Sequence, residues 1–156
     1  MQGLQPLPDD PFQRLAVSVF RLNGALLAEG DRLVADLGLT SARWQVLGAA
    51  ATAPVPLTVA HIARNMGLTR QTVRTTVREL EASGFVGLLP NPHHQRAHLV
   101  VPTPAGEHAY AAAAQRQSDW ARGITRDLDG AAMTGAAEVL QAMLMRLLEA
   151  SAADEP

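Results

Sequence analysis

From Phe12 onward the apolar residues Phe12, Leu15, Val19, Leu22 and Leu26 return every three or four positions, and Leu33 and Leu37 continue the series. At about 100° per residue this spacing keeps them on one stripe of an α-helix. The pattern predicts a long first helix closed at Gly38, because glycine takes the left-handed conformation of a helix C-cap without steric cost. Thr40 or Ser41 then caps a second helix carrying Trp44, Val46, Leu47 and the small run 49–51, which Pro54 and Pro56 end. Thr58 caps a third, short helix with Val59, Ile62, Ala63 and Met66 pointing inward, and Gly67 closes it. Only Leu68 intervenes before Thr69 caps a fourth helix, which runs to about Ser83 and stops at Gly84.

Beyond Gly84 the helical period disappears. Phe85 to Leu89 and His98 to Val101 are short strand-like runs, and Pro90-Asn91-Pro92 between them is a turn signal. They predict a hairpin with a loop of roughly six to eight residues, longer than ordinary hairpin turns. Thr103-Pro104 opens a fifth helix, threonine as cap and proline at the first position, through the alanine run to about Trp120 or later. Asp129-Gly130 precedes a last helix whose stripe is Met133, Ala136, Leu140, Met143 or Leu144, and Leu147. Pro6, Pro8 and Pro11 block regular structure near the start. The expected division is a flexible arm at 1–11, a first helix at 12–38, a compact centre at 39–102, C-terminal helices at 103–150 and a tail at 151–156.

The segment from Thr58 to Ser83 has the parts of a helix-turn-helix, and the hairpin after it makes a wing. The expected fold is therefore mainly α with a small β-hairpin wing. In the fourth helix Val73, Val77 and Leu80 share one side. Gln71, Arg74, Thr75 and Arg78 form a contiguous arc on the other, with Arg70 at its edge. An ordinary amphipathic helix also has a polar face. This face carries no carboxylate before Glu79, and its residue types match base edges: arginine pairs with guanine, glutamine with adenine, threonine with base or phosphate. Thr69 and Thr72 stand at the helix N-terminus, where the dipole favours phosphate. Arg96 lies at the wing tip, within reach of an adjacent minor groove.

Charge sharpens this picture. The 156-residue chain has a formal net charge of −2, but the segment 40–100 carries six arginines against Glu79 and Glu81, a local +4, leaving −6 for the flanks. A basic centre between acidic flanks fits one segment meeting phosphates. All 13 basic residues are arginine. GC-rich coding accounts for that bias, while the guanidinium fork still suits phosphate and guanine better than lysine does.

Several function classes drop out. There is no cysteine, which removes disulfides, thiolate metal sites and thiol redox chemistry. No apolar run reaches the ~18 residues of a membrane span, and the polar, Pro-rich start does not resemble a signal peptide; a soluble cytoplasmic protein is expected. The chain contains no GxSxG, P-loop, GxGxxG or HExxH pattern, so no enzyme activity is expected. His93, His94 and His98 invite a metal, but adjacent loop histidines converge poorly on one ion, and His61, Glu107 and His108 have the wrong spacing for a zinc pattern; neither metal nor cofactor is expected. Protonation of the wing histidines near pH 6.5 would add positive charge, so DNA affinity is expected to rise as pH falls.

Four runs of residues carry a more specific likeness. They are Leu68-Thr69-Arg70-Gln71-Thr72-Val73, Leu80-Glu81-Ala82-Ser83-Gly84-Phe85-Val86, Asn91-Pro92 with Arg96-Ala97-His98-Leu99-Val100, and Thr103-Pro104-Ala105-Gly106. Together with Leu39-Thr40 and Arg43-Trp44-Gln45-Val46-Leu47, they resemble the MarR family of bacterial transcription regulators over roughly Leu39 to Gly106. The resemblance implies a homodimer whose first and last helices intertwine, and paired recognition helices that bind a pseudo-palindromic duplex. It implies a sequence-specific regulator, more often repressor than activator. It implies a small aromatic effector in a cleft, for which Arg43, Trp44, His108 and Tyr110 are the candidate lining. The chain departs from the family at the wing. His94, Gln95 and Arg96 stand where an acid and two arginines are usual, and Gly87, Leu88 and Leu89 where charged residues are common. An alternative reading follows from that departure: a winged-helix-like module for a ligand or a protein, with weakened DNA binding.

Overall fold

The structure is a computed structural model that describes residues 4–94 and 96–153. Gln95 of the altered wing lies outside the described residues, as do the ends of the expected arm and tail. The elements are α1 (Pro11–Val34), a 3₁₀ turn (Ala35–Leu37), α2 (Ser41–Ala51), β1 (Leu57–Thr58), α3 (Val59–Met66), α4 (Arg70–Ala82), β2 (Val86–Leu89), β3 (Leu99–Pro102), α5 (Pro104–Ile124) and α6 (Gly130–Ala153). None of the described helices is long and apolar enough to cross a membrane.

Local chemistry fixes most of these boundaries. The threonines at 40, 58 and 69 each accept a hydrogen bond from the backbone N–H three residues on, satisfying a donor that has no partner inside the helix. Thr103 does the same for Gly106. Gly38, Gly67 and Gly84 all have positive φ, at 71°, 64° and 75°, so each turn uses the one residue type that tolerates that geometry. The arm is tied at its described part: Asp10 caps α1 through Gln13 N–H, while Arg14 and Arg21 donate to the carbonyls of Pro8 and Gln5.

The chain forms two compact units, Met1–Gln117 and Ser118–Pro156. The core of the first contains Val34, Leu39, Trp44, Val46, Leu47, Ile62, Val73, Val77, Leu80, Val86 and Val100, all buried. Each large aliphatic side chain so enclosed contributes roughly 1.5–3 kcal/mol. The inward positions expected of α3 and α4 are the ones found, with Thr76 joining them; its hydroxyl donates to the Thr72 carbonyl, so this buried hydroxyl is paired.

The β part is larger than the expected hairpin. β1, only two residues long, pairs antiparallel with β3 (Leu57↔Val100, Thr58↔Leu99), giving a three-stranded sheet in the order β1-β3-β2. The β2–β3 register (Val86↔Pro102 to Leu89↔Leu99) leaves residues 90–98 between the strands, slightly more than expected. Two glycines set close approaches. A Cβ at Gly30 would stand 2.7 Å from the Ser41 hydroxyl, so α1 and the start of α2 meet there, assisted by Asp31 accepting from Ser41 N–H at 2.6 Å. A Cβ at Gly106 would fall on the Phe85 carbonyl. Arg116 on α5 clasps the end of α1, donating to the Leu33 carbonyl and both carboxylate oxygens of Asp36. That hydrogen bond holds the Asp36 carboxyl below its ordinary range. The stabilisation is present above the ordinary carboxylate value and lost as pH falls through the lowered one; both partners face solvent, so it is small.

Each unit leaves an apolar face in water. In the first, Phe12, Val19, Phe20, Leu22, Leu26 and Leu27 of α1 are exposed, Phe20 at 75%; only the end of the predicted stripe, Leu33 and Leu37 with Val34, joins the core. In the second, Met133, Val139, Leu140, Leu144, Leu147 and Leu148 of α6 are exposed, Leu147 at 64%.

Candidate nucleic-acid interface

The turn between α3 and α4 positions everything that follows. Gly67 is left-handed, its N–H donates to the Arg64 carbonyl, and Leu68 N–H donates to Ala63. Thr69 is extended and caps α4, which starts at the next residue, Arg70. Burial of Val73, Thr76, Val77 and Leu80 then fixes the rotation of α4 about its axis. Its opposite side is open: Thr69, Arg70, Gln71, Thr72, Arg74, Thr75 and Arg78 are all exposed.

The sheet brings the wing against that side. An open groove of about 310 Å³ runs between them, lined by Arg74, Val77 and Arg78 of α4, Thr58 and Val59 at the β1–α3 junction, Leu88 of β2, and Arg96, Ala97 and His98 before β3. Three of the sequence-predicted arginines, Arg74, Arg78 and Arg96, thus converge on one cavity from two elements. Arg70, Gln71, Thr72 and Thr75 share the exposed face of α4 without lining the groove. Among the described residues, none of the four guanidinium groups at 70, 74, 78 and 96 is in an ion pair. No carboxylate lines the groove.

The hydroxyls are less free than the sequence implies. Thr69 and Thr72 Oγ1 are 2.8 Å apart and hydrogen-bonded to each other, and Thr75 Oγ1 donates to the Gln71 carbonyl. Toward DNA, Thr75 therefore remains chiefly an acceptor. The wing tip is a compact turn: Asn91 Oδ1 accepts from His93 N–H, the Asn91 carbonyl from His94 N–H, and His94 Nδ1 from Arg96 N–H. His98 and Leu88 are groove residues that sequence reasoning left out of the proposed DNA-facing residues. For Leu88 the available signal was its two-residue spacing from Val86 on the same strand; His98 lies just before β3 and had no such signal.

The four residues expected around an effector differ in exposure. Trp44 is 9% exposed and part of the core. Tyr110 is half-buried, its ring against Gly48 one turn beyond Trp44 on α2. His108 is exposed. Arg43 is partly buried, with Nε enclosed and without a hydrogen-bond partner.

Comparison with known proteins matches the geometry. Residues 37–97, from the end of the first helical segment through the wing tip, match the family model described as MarR family. The uncharacterized protein Rv2011c of Mycobacterium tuberculosis is 33% identical over 138 residues, covering 88% of this chain and 95% of its own length. The transcriptional activatory protein BadR of Rhodopseudomonas palustris is 31% identical over 104 residues, 65% of this chain and 59% of BadR. Among solved structures, that of CouR from Rhodococcus jostii bound to p-coumaroyl-CoA superposes with a TM-score of 0.75 at 23% identity, covering 90% of this chain and 95% of CouR.

Proposed function

The chain belongs to the MarR family of transcriptional regulators, proteins that bind DNA and are not enzymes, and from that premise we propose a homodimer whose paired α4 helices grip a pseudo-palindromic duplex in the cytoplasm. The observation that carries this reading is the convergence of Arg74, Arg78 and Arg96, unpaired, on an open groove with no acid in it. In the proposed arrangement Arg70, Gln71, Arg74 and Thr75 face base edges in the major groove. Thr69 and Thr72 meet phosphate at the helix N-terminus, and Arg78 and Arg96 meet the backbone or the adjacent minor groove. Occupancy of an operator that overlaps a promoter excludes polymerase, which makes the protein a repressor there.

A salt titration tests the reading. With two phosphates neutralised per protomer, by Arg78 and Arg96, and two protomers, log K against log salt has a slope of about −3.6, a loss of roughly a hundredfold between 50 and 200 mM. The duplex to use is the DNA flanking the protein's own gene. Binding that is weak and insensitive to salt would favour the alternative module with a weakened wing.

The exposed faces of α1 and α6 support the dimer. Light scattering should give about twice the 16.6 kDa chain mass. Leu140→Glu with Leu147→Glu should give monomers that no longer hold the operator; a wild-type monomer would remove the role proposed for α6. CouR, bound to p-coumaroyl-CoA, gives a precedent for a small effector in this fold. We place one among Arg43, Trp44, His108 and Tyr110. The enclosed, unpartnered Arg43 Nε supports an effector carrying an anionic or carbonyl oxygen.

A further inference from the structure

We propose that His98 is a DNA-contact residue, and that as an imidazolium it holds a backbone phosphate together with Arg78 and Arg96. This rests on the DNA-binding reading above. The groove supplies the geometry: His98 is exposed and shares the cavity with Arg74, Arg78 and Arg96. The other lining residues, Thr58, Val59, Val77, Leu88 and Ala97, carry no charge, so nothing there competes with an incoming anion. A volume of about 310 Å³ is at the lower end of small-ligand sites, enough for a phosphodiester group. His93 and His94 do not line the groove, and His94 Nδ1 already accepts the Arg96 N–H. The pH response expected of the wing histidines is thereby assigned to His98 alone.

The sign follows from linkage. A phosphate favours the charged imidazole, so DNA binding takes up a proton at His98 and affinity rises as pH falls. If the phosphate favours the imidazolium about tenfold, affinity rises by up to about tenfold per protomer as pH falls.

The test compares wild type, His98→Gln and the double variant His93→Gln with His94→Gln at pH 8, 7 and 6 and constant ionic strength. The probes are the gene-flanking duplex and a random duplex of equal length, since a backbone contact acts on both. Wild type and the double variant should strengthen as pH falls. His98→Gln should stay flat while matching wild type at pH 8, and at pH 6 its salt slope should be shallower by about 0.9 per protomer. Melting curves confirm that the exposed substitution leaves the fold intact. A pH response that survives in His98→Gln, or a wild type that is flat yet salt-sensitive, overturns the assignment while leaving the DNA-binding reading in place. A folded wild type that binds neither duplex at pH 8 overturns both. A response abolished by inorganic phosphate at matched ionic strength would put a free anion in the groove and overturn the assignment too.

Discussion

Arg74→Ala is expected to weaken operator binding by ~1–3 kcal/mol at each half-site, hence by one to four powers of ten for a dimer on its pseudo-palindrome. Arg74 belongs both to the exposed face of α4 and to the groove. Its neighbours limit the ambiguity of the result. Val73 and Val77 lock the helix into the core from the other side, and the Arg74 side chain is in no ion pair among the described residues. Removing it therefore leaves no buried group unpaired and should leave the melting temperature unchanged. The loss should also be selective. A guanidinium on a guanine edge discriminates between bases, so operator affinity should fall further than affinity for random duplex. Arg78→Ala makes the contrast: without its guanidinium on a phosphate, both duplexes bind more weakly by the same factor and the salt slope becomes shallower by about 0.9 per protomer. An unchanged ratio of operator to random binding in Arg74→Ala would mean that Arg74 does not discriminate between bases.

The readable parts of this chain are those encoded over three or four residues. Each threonine cap and each left-handed glycine announces itself beside the element it bounds, which is why the helix order, the helix-turn-helix and the exposed arc of α4 follow from sequence. Features closed over long separations do not announce themselves. The two residues of β1 are too few to show an alternating pattern, and they lie beside Pro54 and Pro56; their pairing to β3 depends on residues more than forty positions away. Arg116 reads as one more charge on an alanine-rich helix until the fold brings Asp36 and the Leu33 carbonyl to it across some eighty residues. The groove is intermediate. Its α4 side is visible as helical periodicity, but the hairpin loop hides which of its three histidines faces that helix. Only the folded groove, which His98 lines and His93 and His94 do not, singles out His98.

Gly106 is the position where a single methyl group should cost most. A Cβ there would overlap the Phe85 carbonyl oxygen and stand 2.9 Å from its carbon and 3.3 Å from the Phe85 Cα. All three atoms are backbone, so no side chain can rotate away. The same carbonyl accepts from Thr103 N–H at 3.0 Å, and the Thr103 hydroxyl donates to the Gly84 carbonyl at 2.6 Å while capping Gly106. Relief of the clash would therefore pull α5 off the Gly84–Phe85 corner and break the bonds that join the end of α4, the sheet and the start of α5. Gly106 is on a helix with ordinary backbone angles, so alanine's better helix propensity offsets at most ~1 kcal/mol. Overpacking against an unyielding wall costs ~3 kcal/mol or more, a fall in melting temperature of roughly 6–12 °C for a chain of this length. Gly123→Ala on the same helix has no atom within 4 Å of the added methyl and should be neutral or slightly stabilising. A Gly106→Ala protein that melts with the Gly123→Ala protein would show that α5 does not press on the Phe85 backbone.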